Sequence, residues 1–204
     1  IYASTLGDLQ NWRVHQNVST DSYAASVGSD GEWTGGADYF GYPTFFKENC
    51  IHKVYGSYPA QYQIQVTACN GVERGSRDSL ALLGSTLFYK GTDGFYAYEG
   101  GLPSLASNAI GRIKYSSAHA ESDGRKLYIA AVEYSSAGVS TPEMLVYDSQ
   151  TAIWHRESLE SEARGIVDSS DGIVVSLADG NLYLTGGEGV SEDTVKYYAV
   201  TGII

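Results

Sequence analysis

One pattern limits the folds open to this chain more than any other: an apolar run, a turn and a second apolar run recur four times. The first such hairpin spans Tyr42 to Tyr55, turning at Lys47-Glu48-Asn49. The second spans Leu87 to Tyr98, turning at Gly91-Thr92-Asp93-Gly94. The third spans Lys126 to Tyr147, with a longer loop from Ser135 to Thr141. The fourth spans Ile173 to Leu184, turning at Ala178-Asp179-Gly180. Their first strands recur every 40 to 47 residues or so, and a four-stranded propeller blade takes about 40–50.

The turn chemistry agrees with β-structure. Asp-Gly pairs stand at 30–31, 93–94, 123–124, 171–172 and 179–180, each between β-prone runs. Asp-Gly suits a type I′ turn, in which both central residues take positive φ. Further strands flank the hairpins. Tyr62 to Thr67 and Ala152 to Arg156 read as edge strands, and Leu80 to Leu83 and Gly165 to Val167 as leading ones. No segment holds a helical i, i+3, i+4, i+7 pattern over ten residues; Ser158 to Arg164, the nearest, is short and acidic and reads as a loop.

A single sheet of this kind cannot bury both faces. Stacking like units around an axis does so and leaves only short edges, whereas a sandwich requires no regular period of this length. The expectation is an all-β chain: a β-propeller of roughly four to five four-stranded blades, or a piece of a larger propeller. As one domain over 1–204 it divides into units 37–79, 80–122, 123–164 and 165–204. Residues 1–36 form the tail of an early blade and an outer strand.

Charge narrows the partners. Twenty-four acidic residues against 13 basic ones leave a net charge of −11, opposed to nucleic-acid binding, which needs Lys/Arg clusters. No apolar run approaches the roughly 20 residues of a membrane-spanning helix. The chain starts at Ile1 in what reads as a strand, without a signal-peptide pattern, and the expectation is a fragment of a longer protein.

No residue qualifies as catalytic, cofactor-binding or metal-ligating. His15, His52, His119 and His155 lack metal-site spacing. There is no Gly-x-Ser-x-Gly elbow, no Gly-x-Gly-x-x-Gly fingerprint and no phosphate loop; Gly35-Gly36, Gly100-Gly101 and Gly186-Gly187 read as turns. Acid pairs Asp30/Glu32 and Asp168/Asp171 could serve glycoside chemistry only if they converge across a cleft, and solvated loops are the simpler reading. Trp12, Trp33 and Trp154 could form a sugar- or protein-binding surface, though packing between sheets is the commoner use of such residues. Pairing Asn49 to Gly56 with Tyr62 to Cys69 sets Cys50 opposite or diagonal to Cys69. That geometry permits a disulfide; the strain of cross-strand bridges favours free thiols.

Some segments look familiar. Ser29 to Trp33 resembles an incomplete Asp-box turn of sialidase propellers, a folding motif, but no sialidase-like arginine cluster is evident. Ser4 to Trp12, ending Gly-Asp-Leu-Gln-Asn-Trp, and the following Thr20-Asp21-Ser22-Tyr23 resemble a blade-closing signature of phage virion proteins. Phe45 to Gly56, Ser57 to Ile64, Leu87 to Lys90, Gly94 to Gly100, Leu145 to Asp148 and Trp154 to Glu157 extend the likeness over nearly the whole chain. The chain thus resembles the propeller part of tail or neck proteins from phages and prophages of gut Firmicutes, and more distantly the nozzle proteins of short-tailed phages. The resemblance implies a non-enzymatic virion component without cofactor, assembled in the bacterial cytoplasm, where both cysteines would stay reduced. Its partners would be tail, neck or portal proteins, with a homo-oligomeric ring as a further option. The rival readings are a carbohydrate- or receptor-binding propeller module and a propeller glycosidase.

Overall fold

The computed structural model describes residues 1–16, 18–111, 114–134 and 138–185. It is all-β, with short 3-10 turns at Pro59–Gln61, Arg77–Ser79 and Ala106–Ile110. A two-residue ladder joins β1 (Tyr2–Ala3) to β2 (Tyr23–Ala24). Sheet one contains β3 (Gly35–Tyr39), β4 (Tyr42–Lys47), β5 (Cys50–Tyr55) and β6 (Gln63–Ala68). Sheet two contains β7 (Ala81–Leu83), β8 (Thr86–Gly91), β9 (Gly94–Tyr98) and β10 (Ser104–Leu105). Sheet three contains β11 (Lys114–Ser122), β12 (Lys126–Tyr134), β13 (Ser140–Asp148) and β14 (Ile153–Ser158). Sheet four contains β15 (Ala163–Ser169), β16 (Gly172–Leu177) and β17 (Leu182–Thr185). Within each sheet the strands are antiparallel and lie side by side in chain order.

The four hairpins read from the sequence are β4–β5, β8–β9, β12–β13 and β16–β17. The sheets depart from the predicted units by two residues at β3 and β15, and most at β11. β11 pairs with β12 from Ser122 opposite Leu127 to Lys114 opposite Tyr134, so it opens sheet three, where the spacing predicts the end of unit 80–122. The Asp123-Gly124 turn joins these strands because the Asp123 carboxylate accepts the backbone N–H groups of Arg125 and Lys126.

The Asp-Gly pairs are not type I′ turns. Gly31, Gly124, Gly172 and Gly180 take positive φ, but no aspartate does, and Gly94 already lies in β9. The two-residue loop with positive φ at both positions is Phe40-Gly41, at +52° and +78°. Phe40 is unusual there, because its Cβ crowds the backbone in the left-handed region. Gly71 meets a different demand where the chain leaves sheet one. Its N–H donates to the Glu48 carbonyl, and a Cβ would lie 1.9 Å from the Lys47 carbonyl oxygen.

Sheets pack face to face in chain order. Phe46 and Ile51 of sheet one meet Tyr89, Tyr96 and Tyr98 of sheet two, with the Phe46 and Tyr89 rings 5.2 Å apart. Phe88 and Phe95 of sheet two meet Leu127, Ile129 and Leu145 of sheet three. Tyr128, Met144 and Val146 of sheet three meet Ile173, Val175 and Leu177 of sheet four. The alternation of Met144, Leu145 and Val146 therefore feeds two cores from one strand. This explains why the middle strands read as unbroken apolar runs: both of their faces are covered.

Candidate functional site

The far face of sheet one differs from these interfaces. Phe45, Lys47, Cys50 and His52 share it by register and strand alternation. The chain before sheet one covers this face, and polar groups meet there. Ser29 Oγ lies 2.8 Å from His52 Nε2, and the fully buried imidazole stands edge-on to Trp33 at 4.8 Å. Lys47 Nζ donates to the Ser29 carbonyl at 2.6 Å and lies 4.8 Å from the Trp33 ring centre. Burial first, and the neighbouring Lys47 charge second, hold the His52 pKa below its ordinary value. His52 is thus neutral at pH 7.

Ser29 and His52 have the spacing of a nucleophile and base. A working pair needs a third group to orient the imidazole, and no carboxylate reaches His52 Nδ1 among the described residues. The pair serves to satisfy two half-buried or buried polar groups. Beside it opens a cleft of about 360 Å³, lined by Ile1, Tyr2, Ser26, Val27, Trp33 and Lys47 among others.

A second cleft, of about 450 Å³, is lined by β3, β11, β15 and the segment around the Arg77–Ser79 turn that leads into β7. Its wall includes Arg77, Asp78, His119, Glu121 and Arg164. Arg77 Nε is 3.2 Å from Asp78 Oδ1, and His119 Nδ1 is 4.0 Å from Asp78 Oδ2. The charges are mixed, and the arginine–aspartate pair is solvent-exposed, which leaves little net field.

A partly buried ion network crosses sheet three. Arg156 on β14 binds both Glu143 on β13 and Glu133 on β12, and Tyr115 on β11 donates to Glu143 at 3.2 Å. Burial and then the Glu143 charge push the Tyr115 hydroxyl pKa far up.

The residues singled out in the sequence disperse. His15 is exposed, and His155 pairs with Glu157 at 2.9 Å. No three metal-ligating side chains gather among the described residues. Asp30 and Glu32 are exposed, Glu32 pairing with Arg74 at 2.5 Å; Asp168 and Asp171 sit exposed around the β15–β16 turn. Neither pair faces across a cleft. Cys50 stands opposite Ala68, with Cys69 one residue further on, and both thiols are free. Burial raises the Cys69 pKa to about 11. Trp154 packs on Tyr147 at 4.9 Å, Trp12 is exposed, and Trp33 packs against the buried His52 while staying exposed itself. Gly186-Gly187 falls outside the described residues. Sequence reading missed Ser29 and Lys47. The one available signal was a lysine directly after two phenylalanines in a strand, where a charge must either snorkel or be buried.

No protein-family model matches the chain, and no curated protein matches it. Among solved structures it is similar to the extracellular domain of a protein assigned as a one-component system of B. thetaiotaomicron. That likeness has 12% identity and a TM-score of 0.38, and covers 80% of this chain and 29% of the other.

Proposed function

We propose that the four sheets are successive blades of a β-propeller, and that this propeller is a non-enzymatic docking module of a phage or prophage virion. The observation that carries the propeller is the packing order. Each sheet stacks on the next in chain order, and the first strands β3, β11 and β15, with the 3-10 turn that leads into β7, line one common cleft. Propeller blades have this relation to their axis.

The docking role is supported by the sequence likeness to tail and neck proteins and by the surface of the N-terminal segment. Tyr2, Leu6, Leu9, Trp12 and Val18 are all largely exposed there, Leu9 at 82%. Five large apolar side chains within 17 residues exceed the scatter usual on a soluble surface and suit burial against a neighbouring protein. The segment is anchored on the connection between β5 and β6, with Ala60 N–H donating to the Ser19 carbonyl and the Tyr23 and Tyr62 rings 5.4 Å apart. A neighbour docked there would be held rigidly.

The test is composition of particles. Virions induced from the strain that encodes the chain are purified on a density gradient, and their proteins are quantified by mass spectrometry. The expected result is this chain at fixed stoichiometry to the portal protein. Particles complete in portal and tail proteins but lacking this chain would overturn the proposal.

A further inference from the structure

We propose that the cleft between the N-terminal segment and sheet one binds an acidic saccharide, its carboxylate on Lys47 and its ring against Trp33. This goes beyond the docking role and does not depend on it.

Lys47 is only 4% exposed, yet no carboxylate lies within 4.0 Å of its ammonium among the described residues. One of its three donors is used, on the Ser29 carbonyl, and the centre of the uncharged Trp33 ring lies 4.8 Å away. A buried ammonium without a counter-charge is unfavourable, and its partner is ordinarily built in. The chain itself shows the ordinary solution. Lys90, the other buried lysine among the described residues, holds Glu73 Oε2 at 2.9 Å and the Gly91 carbonyl. At Lys47 the corresponding anion is missing, and the side chain lines a cleft instead.

The shape of the cleft selects the rest of the ligand. About 360 Å³ accommodates one or two sugar rings rather than a bare ion. Trp33 stays 45% exposed while its inner edge is fixed by Phe45 and His52, so a preorganised aromatic surface borders the cleft. An aromatic surface beside a cation and polar backbone suits a pyranose bearing a carboxylate. Ser26 and Val27, which lie outside any strand, also line the cleft.

The test is isothermal titration of the 204-residue chain with digalacturonate, its neutral methyl ester and inorganic phosphate. Digalacturonate is expected to bind saturably, and its methyl ester and phosphate at least about tenfold more weakly. Lys47→Gln and Trp33→Ala should each weaken digalacturonate binding about tenfold or more, while Lys47→Arg retains it. Arg125→Ala, at an exposed ion pair elsewhere, should change nothing. A chain lengthened by a few N-terminal residues should bind equally, separating Lys47 from the Ile1 ammonium. Near-UV circular dichroism confirms that each variant is folded. The proposal is overturned if the ester binds as tightly as the acid, if phosphate matches digalacturonate, or if folded Lys47→Gln binds unchanged. Loss of binding on N-terminal lengthening, or no saturable binding up to about 10 mM, also overturns it.

Discussion

Leu145→Ala tests whether the sheets form one stacked body. Leu145 lies in the middle of β13, fully buried, between Ile129 on β12 and Arg156 on β14. Its side chain faces sheet two, in the cluster with Phe88, Phe95 and Leu127. Truncation removes the apolar transfer energy and leaves a cavity that two rigid sheets cannot close. The expected cost is about 3–4 kcal/mol. For a domain of this size each kcal/mol lowers Tm by roughly 2–4 °C, so the drop should be about 6–16 °C. Met144→Ala opens the opposite face, towards Val146 and Ile173, and should cost about as much. Ile153→Ala on the neighbouring edge strand removes a side chain that is 60% exposed and should stay within about 0.5 kcal/mol. The assay is urea unfolding followed by fluorescence, with Trp154 on β14 as a reporter, and by far-UV circular dichroism. Both probes should move together. If Leu145→Ala costs under about 1 kcal/mol at unchanged slope, the core between sheets two and three is not formed as described.

Three further outcomes are expected. The lowered His52 pKa means that, below the unfolded value of about 6.5, the unfolded chain takes up a proton that the folded chain refuses. Stability should therefore fall as pH drops from about 7 and level off below the folded pKa, and His52→Gln should remove that part of the slope in urea midpoints; an unchanged slope would refute the assignment. Phe40→Asn places Asn-Gly in a turn with both φ positive and should stabilise the chain by about 0.5–1 kcal/mol in a thermal melt; a lowered Tm would show that the Phe40–Tyr39 ring contact at 4.9 Å outweighs the strain. Arg156→Met leaves the nearly buried Glu143 carboxylate with Tyr115 as its remaining partner; allowing for the partial exposure of Arg156, the cost should be about 2 kcal/mol, and adding Glu143→Gln should recover most of it in a chemical melt.

The hairpins were legible because their signals are local. Apolar runs on either side of a short polar turn, as at Tyr42–Lys47 and Cys50–Tyr55, specify strands, turn and register together. The repeat spacing added that several such units must cover one another, and the stacked cores agree with it. Turn type was not legible: Asp-Gly permits more than one geometry, and side-chain bonds such as those of Asp123 decide between them. Nor was the assignment of β11, since a strand between two hairpins can join either, and its bonds to β12 settle the choice only in three dimensions.

The sequence by itself determined an all-β chain of repeated hairpins, because alternation, turn residues and spacing act over short distances along the chain. Only the tertiary structure decided that Lys47, Ser29, His52 and Trp33 meet in one corner, where Lys47 and His52 are buried. Lys47 and His52 are placed by the register of β4 with β5, but Ser29 and Trp33 come from the covering segment. Burial is a property of what lies on top of a face, and no local pattern in β4 announces that a polar segment, rather than another sheet, will cover it.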